Sequence, residues 1–117
     1  MEIGRDRAIG RITVDEHHLH PGGYVHGGAW TTLGDTVAAW ATFHSLPPEH
    51  EFRTVELKLN VFGSGRVGDV LTATATPLHV GRNTIVIEVR VERERRGASK
   101  LAANVVVTQI VLAPDQL

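Results

Sequence analysis

The 117-residue sequence contains no cysteine. Thiol nucleophiles, disulfides and cysteine-based metal sites are therefore excluded, and nothing points to an oxidising compartment. Neither sign of charge predominates: 12 Lys and Arg stand against 13 Asp and Glu, a formal net charge of -1. Without a basic block, nucleic acid is not expected as a partner. The charged opening MEIGRDRAIG lacks the apolar segment of a signal peptide, and no run reaches the length of a membrane span. The expected setting is the cytoplasm, away from membranes. Serine is scarce: only Ser45, Ser64 and Ser99 occur, none in a G-x-S-x-G elbow, which argues against serine-hydrolase chemistry. The sequence shows no internal repeat, low-complexity stretch or linker.

What is present suits one globular domain spanning residues 1–117. Hydrophobic residues make up 42% and charged residues 21%, enough for one core in a chain too short for two. Residues 8–15 alternate, with Gly10, Ile12 and Val14 on one parity, and read as a strand. Residues 17–28 form a loop rich in His, Gly and Pro. Residues 29–44 give the one good helix candidate, because Trp30, Leu33, Val37, Trp40 or Ala41, and His44 recur at helical spacing. The prolines of SLPPEH end it.

The period then changes to two. Residues 52–62 place Val55, Leu57, Leu59 and Val61 on one face and Thr54, Glu56, Lys58 and Asn60 on the other. GSGRVGD, VGRN and ERRGAS are turns separating three further strands over residues 70–79, 84–93 and 100–112. Short connections predict antiparallel neighbours. The order of one strand, one helix and four strands predicts an α+β domain, an antiparallel sheet of about five strands curled around a central helix.

HPGGYVHGGAWTTLGD, residues 20–35, carries the chemistry. A helix starting at these glycines exposes backbone N–H groups without partners, and the macrodipole adds partial positive charge. Gly27 and Gly28 have no side chains to screen them, so an oxyanion can approach. The alternative is that the glycines serve only packing or positive-φ turns. Asp35 shares a helix face with Gly28, Thr31, Thr32, Ala39 and Thr42, a small and mildly polar surface beside a carboxylate. It is either a solvent-facing acid or a carboxylate with a task. Gly27 and Asp35 lie eight residues apart, about 12 Å along a helix. One helix cannot bring both to the same carbonyl, whereas two antiparallel copies can, which predicts a dimer with composite sites.

The stretch resembles the G-x-x-HGG-x-x-x-x-L-x-D motif of hotdog-fold acyl-CoA thioesterases, of the phenylacetate-degradation and thioesterase-superfamily type. The resemblance implies that Gly27 donates its N–H to the thioester carbonyl and that a partner's Asp35 acts as nucleophile or general base. It implies that Thr54 helps place the attacking water and that His26 supports the loop and touches substrate. The family's usual assembly is a tetramer, a dimer of dimers, and its reaction uses no cofactor beyond the CoA thioester as substrate. Seven residues before Gly27, where relatives carry Asn or Gln, this chain has His20. An imidazole there can hold the thioester or water, and can protonate a departing thiolate.

CoA phosphates need cations, and Arg82 in the turn with Gly81, Asn83 and Thr84 is the first candidate, with Gly28 also at the substrate. Arg53, Lys58 and Arg66 rank behind them. Trp30, Trp40, Phe43, Phe52 and Phe62 could line a pocket for an aryl, short or medium acyl group, on CoA or an acyl-carrier protein. His17, His18 and His20 lack metal-ligand spacing, so no metal is expected. Two alternatives remain: a hotdog hydratase or dehydratase pairing His26 or His20 with Asp35, and a non-catalytic acyl-CoA-binding protein.

Overall fold

Alternation in the C-terminal half sets the sheet. The computed structural model describes residues 2–3 and 7–117. Buried on one face are Leu71, Ala73 and Ala75 of β4 (Val70–Val80) and Ile85, Ile87, Val89 and Val91 of β5 (Thr84–Arg95). Val105, Val107 and Val111 of β6 (Ala98–Leu112) join them. Each buried Val, Leu or Ile contributes about 1.5–3 kcal/mol, and the β-branches of Val and Ile suit the pleated surface.

Helix α1 (Gly27–Ser45) covers this face with Trp30, Leu33, Val37, Ala38 and Ala41. Two glycines let it settle closely. A Cβ on Gly34 would lie 2.7 Å from Val105 Cγ2, and one on Gly10 would lie 2.8 Å from Val37 Cγ2. α1 begins two residues before the expected start because His26 caps it. His44, read into the apolar repeat, is exposed.

The antiparallel sheet runs β1-β2-β4-β5-β6-β3, where β1 is Glu2–Ile3, β2 is Ala8–Thr13 and β3 is Glu51–Val61. Five long strands match the expectation, and β1 adds a two-residue sixth on β2. The opening segment read as lacking a leader lies partly outside the described residues. β2 stops at Thr13 rather than residue 15 because Asp15 caps a short 3-10 turn, Glu16–His18.

One expectation fails. The connection between β3 and β4 does not join neighbours: β3 pairs with β6 at one edge, and β4 pairs with β2 and β5. Residues 62–69 are long enough to cross the ends of β6 and β5 instead. Phe62 and Gly63 N–H groups donate to Ala102 O at 2.7 and 3.1 Å, and Arg93 Nη1 donates to Ser64 O at 2.7 Å. The shorter β5–β6 connection does give a hairpin, with Arg96 and Gly97 at φ 52° and 77°, the positive values a tight two-residue turn requires.

Asp69 closes the crossing loop. Its Oδ2 accepts from Arg66 N–H at 2.8 Å, and both oxygens accept from Arg95, Nε at 2.8 Å and Nη2 at 2.7 Å. The forked guanidinium holds the carboxyl below the ordinary aspartate range, against a smaller opposing effect of burial. A depressed folded-state pKa stabilises above the unfolded value and loses that contribution as pH falls through the folded one. Asp69→Asn is therefore expected to cost about 1.5–3 kcal/mol at neutral pH. In urea unfolding, the gap from wild type should close in acid below the depressed pKa; a gap independent of pH would contradict this.

Candidate active site

The head of α1 distributes its first amides unequally. His26 is the N-cap, in an extended conformation with φ -67° and ψ 145°, and its Nδ1 accepts the Gly28 N–H at 2.7 Å. In the neutral ring the proton then sits on Nε2. Ala29 and Trp30 N–H groups both donate to His26 O. The Gly27 N–H is left without a partner among the described residues, and a Cβ at Gly27 would meet nothing within 4 Å. Of the two glycines, Gly27 thus offers a free donor in open space, while Gly28 contributes a bare surface. The Thr31 and Thr32 hydroxyls turn back to Gly27 O and Gly28 O, each at 2.8 Å.

Val25 N–H donates to Gly65 O at 2.9 Å, tying the segment before α1 to the crossing loop. A cleft of about 340 Å3 opens there, lined by His20, Tyr24, Trp30, Val61, Phe62 and Ser64 among others. His20 Nδ1 accepts the Gly22 N–H at 2.8 Å, so its neutral ring also carries the proton on Nε2. His20 and the helix head belong to the same end of the molecule.

Asp35 is half-buried at the middle of α1 and forms no hydrogen bond or ion pair among the described residues. Neither His20 nor His26 bonds to it within the chain. Thr42, two turns further along the same face, is fully buried and donates to Ala38 O at 2.8 Å.

Thr54 lies on the face opposite to the one expected. The register between β3 and β6 shifts between Thr54 and Glu56, with Leu57 opposite Val107 and Leu59 opposite Val105. This bulge turns Val55 out, 60% exposed, and brings Thr54 to the helix side opposite Gln109. Thr54 Oγ1 donates to Gln109 Oε1 at 2.6 Å, and Gln109 Nε2 lies 3.5 Å from Thr42 Oγ1. Sequence reading missed Gln109. Its signal is an amide at the buried parity of Val105, Val107 and Val111 in VVVTQIV.

Gly81, Arg82, Asn83 and Thr84 sit at the far end. β4 starts beside the crossing loop at Val70 and ends at Val80, next to that turn, about 35 Å away along the strand. Asn83 O accepts from Val111 N–H at 2.9 Å, and Arg82 is exposed. One chain does not bring this turn to the helix head.

A second cleft, about 530 Å3, lies between β2 and α1, lined by Ile12, Leu19, Leu33, Val37 and Trp40 with His26 and Gly28 at its rim. Trp30, by contrast, is a core residue, and Phe43 is exposed against Phe52 at 5.0 Å between ring centroids. Asp15, His17 and His18 place ligand atoms within 4.8 Å of one another. Local capping accounts for their proximity: Asp15 Oδ1 accepts the His17 N–H, and His18 Nδ1 accepts the Asp15 N–H.

A single long helix wrapped by one antiparallel sheet defines the hotdog fold. The profile of the thioesterase superfamily matches residues 22–100, and the chain belongs to that family. It is 29% identical over 94 residues to the 1,4-dihydroxy-2-naphthoyl-CoA hydrolase of Listeria monocytogenes, covering 80% of this chain and 76% of that protein. The crystal structure of thioesterase HI1161 from Haemophilus influenzae superposes with a TM-score of 0.87 at 26% identity, over 97% of this chain and 77% of that one. Streptococcus mutans smu.793, solved with acetyl-CoA, shares the fold at a TM-score of 0.86 and 24% identity, over 97% and 86%. Among the described residues no helix is long and apolar enough to cross a membrane.

His26→Ala removes the cap and returns the Gly28 amide to solvent. It is expected to lower stability by about 1 kcal/mol, read from urea unfolding; unchanged stability would deny the cap its role.

Proposed function

We propose that this chain hydrolyses acyl-CoA thioesters to free acid and CoA at composite sites of a dimer. Gly27 of one protomer is the oxyanion donor, and Asp35 of the other is general base or nucleophile. The observation that carries this reading is the Gly27 N–H, left free where His26 occupies its neighbour. The printed substrate of the Listeria relative, a CoA thioester, supports the class.

The sheet edge supports the dimer. β3 is an outer strand of 11 residues with Val55 and Val61 exposed, and it leads into exposed Phe62. A long edge left unpaired invites pairing with another chain, and a second β3 is the natural cover. A twofold axis then sets the two α1 helices antiparallel and side by side. Such dimers pairing again would give the family's tetramer.

In the general-base form, a water held between Thr54 and Asp35 attacks the carbonyl carbon and gives its proton to the Asp35 carboxylate. The oxyanion accumulates against the Gly27 N–H, with the helix dipole behind it. Collapse breaks the carbon–sulfur bond, and the thiolate takes the proton from Asp35, with His20 Nε2–H as a hydrogen-bond donor to the departing sulfur. In the nucleophilic form, Asp35 attacks first and water then cleaves the mixed anhydride. Substrate and water supply every atom, so no cofactor is required. The apolar cleft beside Gly28 suits an aryl or medium acyl group, and Arg82 with Gly81, Asn83 and Thr84 serves the CoA phosphates. No observation favours the hydratase alternative, because neither histidine pairs with Asp35.

Gly27→Pro is the incisive substitution. Gly27 is the first helical residue, where proline is well tolerated, and His26 already has the extended backbone that precedes proline. The variant should fold yet lose about 100- to 1,000-fold in kcat through the missing donor. Asp35→Ala should lose about 100- to 10,000-fold. Mixing the two inactive proteins through reversible dissociation should restore roughly a quarter of wild-type activity, since half the dimers are hybrids with one intact site. No recovery would place both groups in one protomer and end the composite reading.

A further inference from the structure

Gln109 is one of three buried polar residues among the described ones, beside Thr42 and Asp69, and among the described residues it alone joins α1 to the edge strand through side-chain hydrogen bonds. We propose that Thr42 and Gln109 are positioning residues that fix Thr54 as a hydrogen-bond acceptor toward the attacking water. The proposal rests on the thioesterase reading for the identity of that water, and on the hydrogen-bond chain alone for its direction.

The direction follows from one end. Ala38 O is a carbonyl in the helix backbone and can only accept, so Thr42 spends its hydroxyl proton there, at 2.8 Å. Thr42 Oγ1 can then only accept from Gln109, which orients the amide with Nε2 toward Thr42 and Oε1 toward Thr54. The Nε2 contact is long, 3.5 Å, whereas the Thr54 Oγ1 to Oε1 contact is short, 2.6 Å. Thr54 therefore gives its proton to Gln109. The opposite amide orientation would set Oε1 against an oxygen with no proton left, inside a core where Gln109 has no exposure.

Thr54 itself is exposed, and with its proton given to Gln109 its oxygen keeps two lone pairs with which to accept. It cannot serve as a second donor to the thioester oxyanion while this chain is intact. It accepts one hydrogen of a water whose other hydrogen faces the Asp35 carboxylate, leaving the water's lone pair to attack. No proton travels through Gln109; the chain only sets orientation. The β3 bulge is what makes this possible, since strict alternation would turn Thr54 to the other face of the sheet.

The test has a structural and a kinetic arm. In the wild-type dimer, the Gln109 side-chain amide protons should resist solvent exchange by NMR and shift in Thr54→Val. Free exchange, or resonances indifferent to Thr54, would overturn the chain whatever the protein hydrolyses. If protection is present but no acyl-CoA is hydrolysed, the thioesterase reading falls and the water-orienting role falls with it, leaving the hydrogen-bond chain as structure only. Kinetically, Thr54→Val and Gln109→Met should each lower kcat roughly tenfold with KM unchanged. The double variant should be no worse than Thr54→Val, and Thr54→Ser should retain wild-type kcat. Thr42→Val, isosteric and remote from substrate, guards against a misfolded Gln109→Met and should lower kcat with KM unchanged. Additive losses, a rise in KM alone, or wild-type kcat in Thr42→Val and Gln109→Met would overturn the proposal.

Discussion

A helix cannot satisfy its own first amides, and the head of α1 meets that deficit unevenly. His26 reaches over to take the Gly28 N–H, which firmly starts α1 at Gly27 and holds the preceding loop in an extended conformation. The Gly27 amide has no partner among the described residues, and a Cβ there would meet nothing within 4 Å. Its position is set by the first turn of α1 and the His26 cap before it. A donor held in that way meets developing negative charge without reorganising, which is where electrostatic stabilisation is most effective.

The remainder of the fold holds that helix head in place. Gly34 and Gly10 let α1 sit against the sheet at separations that a methyl group would not permit. The crossing loop, pinned by Asp69 to Arg95 and by Gly65 O to Val25, supports the segment that leads into the cap. Because residues 62–69 cross the sheet, β3 is sent to an edge, and the strand bearing Thr54 becomes the one open to a second copy. The topology that leaves β3 at an edge therefore also puts Thr54 on an edge strand.

Much of the fold and part of the site were legible in the chain. Strands β4, β5 and β6 announce themselves by buried alternation, and α1 by its apolar spacing and the prolines after it. HGG located the helix head, and the carboxylate eight residues after Gly27 is half-buried at the middle of that helix. The faces of β3 were misread because a bulge adds one residue without any mark in the composition, and period-two counting then inverts everything before it. The β3–β4 crossing was misread because eight loop residues suit a wide turn as well as a passage over two strands. Gln109 was overlooked because a single polar residue in an apolar run stands out only once its parity is tied to the core.

The sequence by itself determined the class of fold, the single helix, the glycine–histidine head and the lone carboxylate, because these depend on local periodicity and on residues close along the chain. Only the tertiary structure decided which glycine keeps a free amide, which face Thr54 occupies, and that Gln109 links it to the helix. Those outcomes depend on hydrogen bonds and register between segments as far apart as residues 54 and 109. A proton has one acceptor at a time, and which acceptor it finds is settled only when distant strands meet.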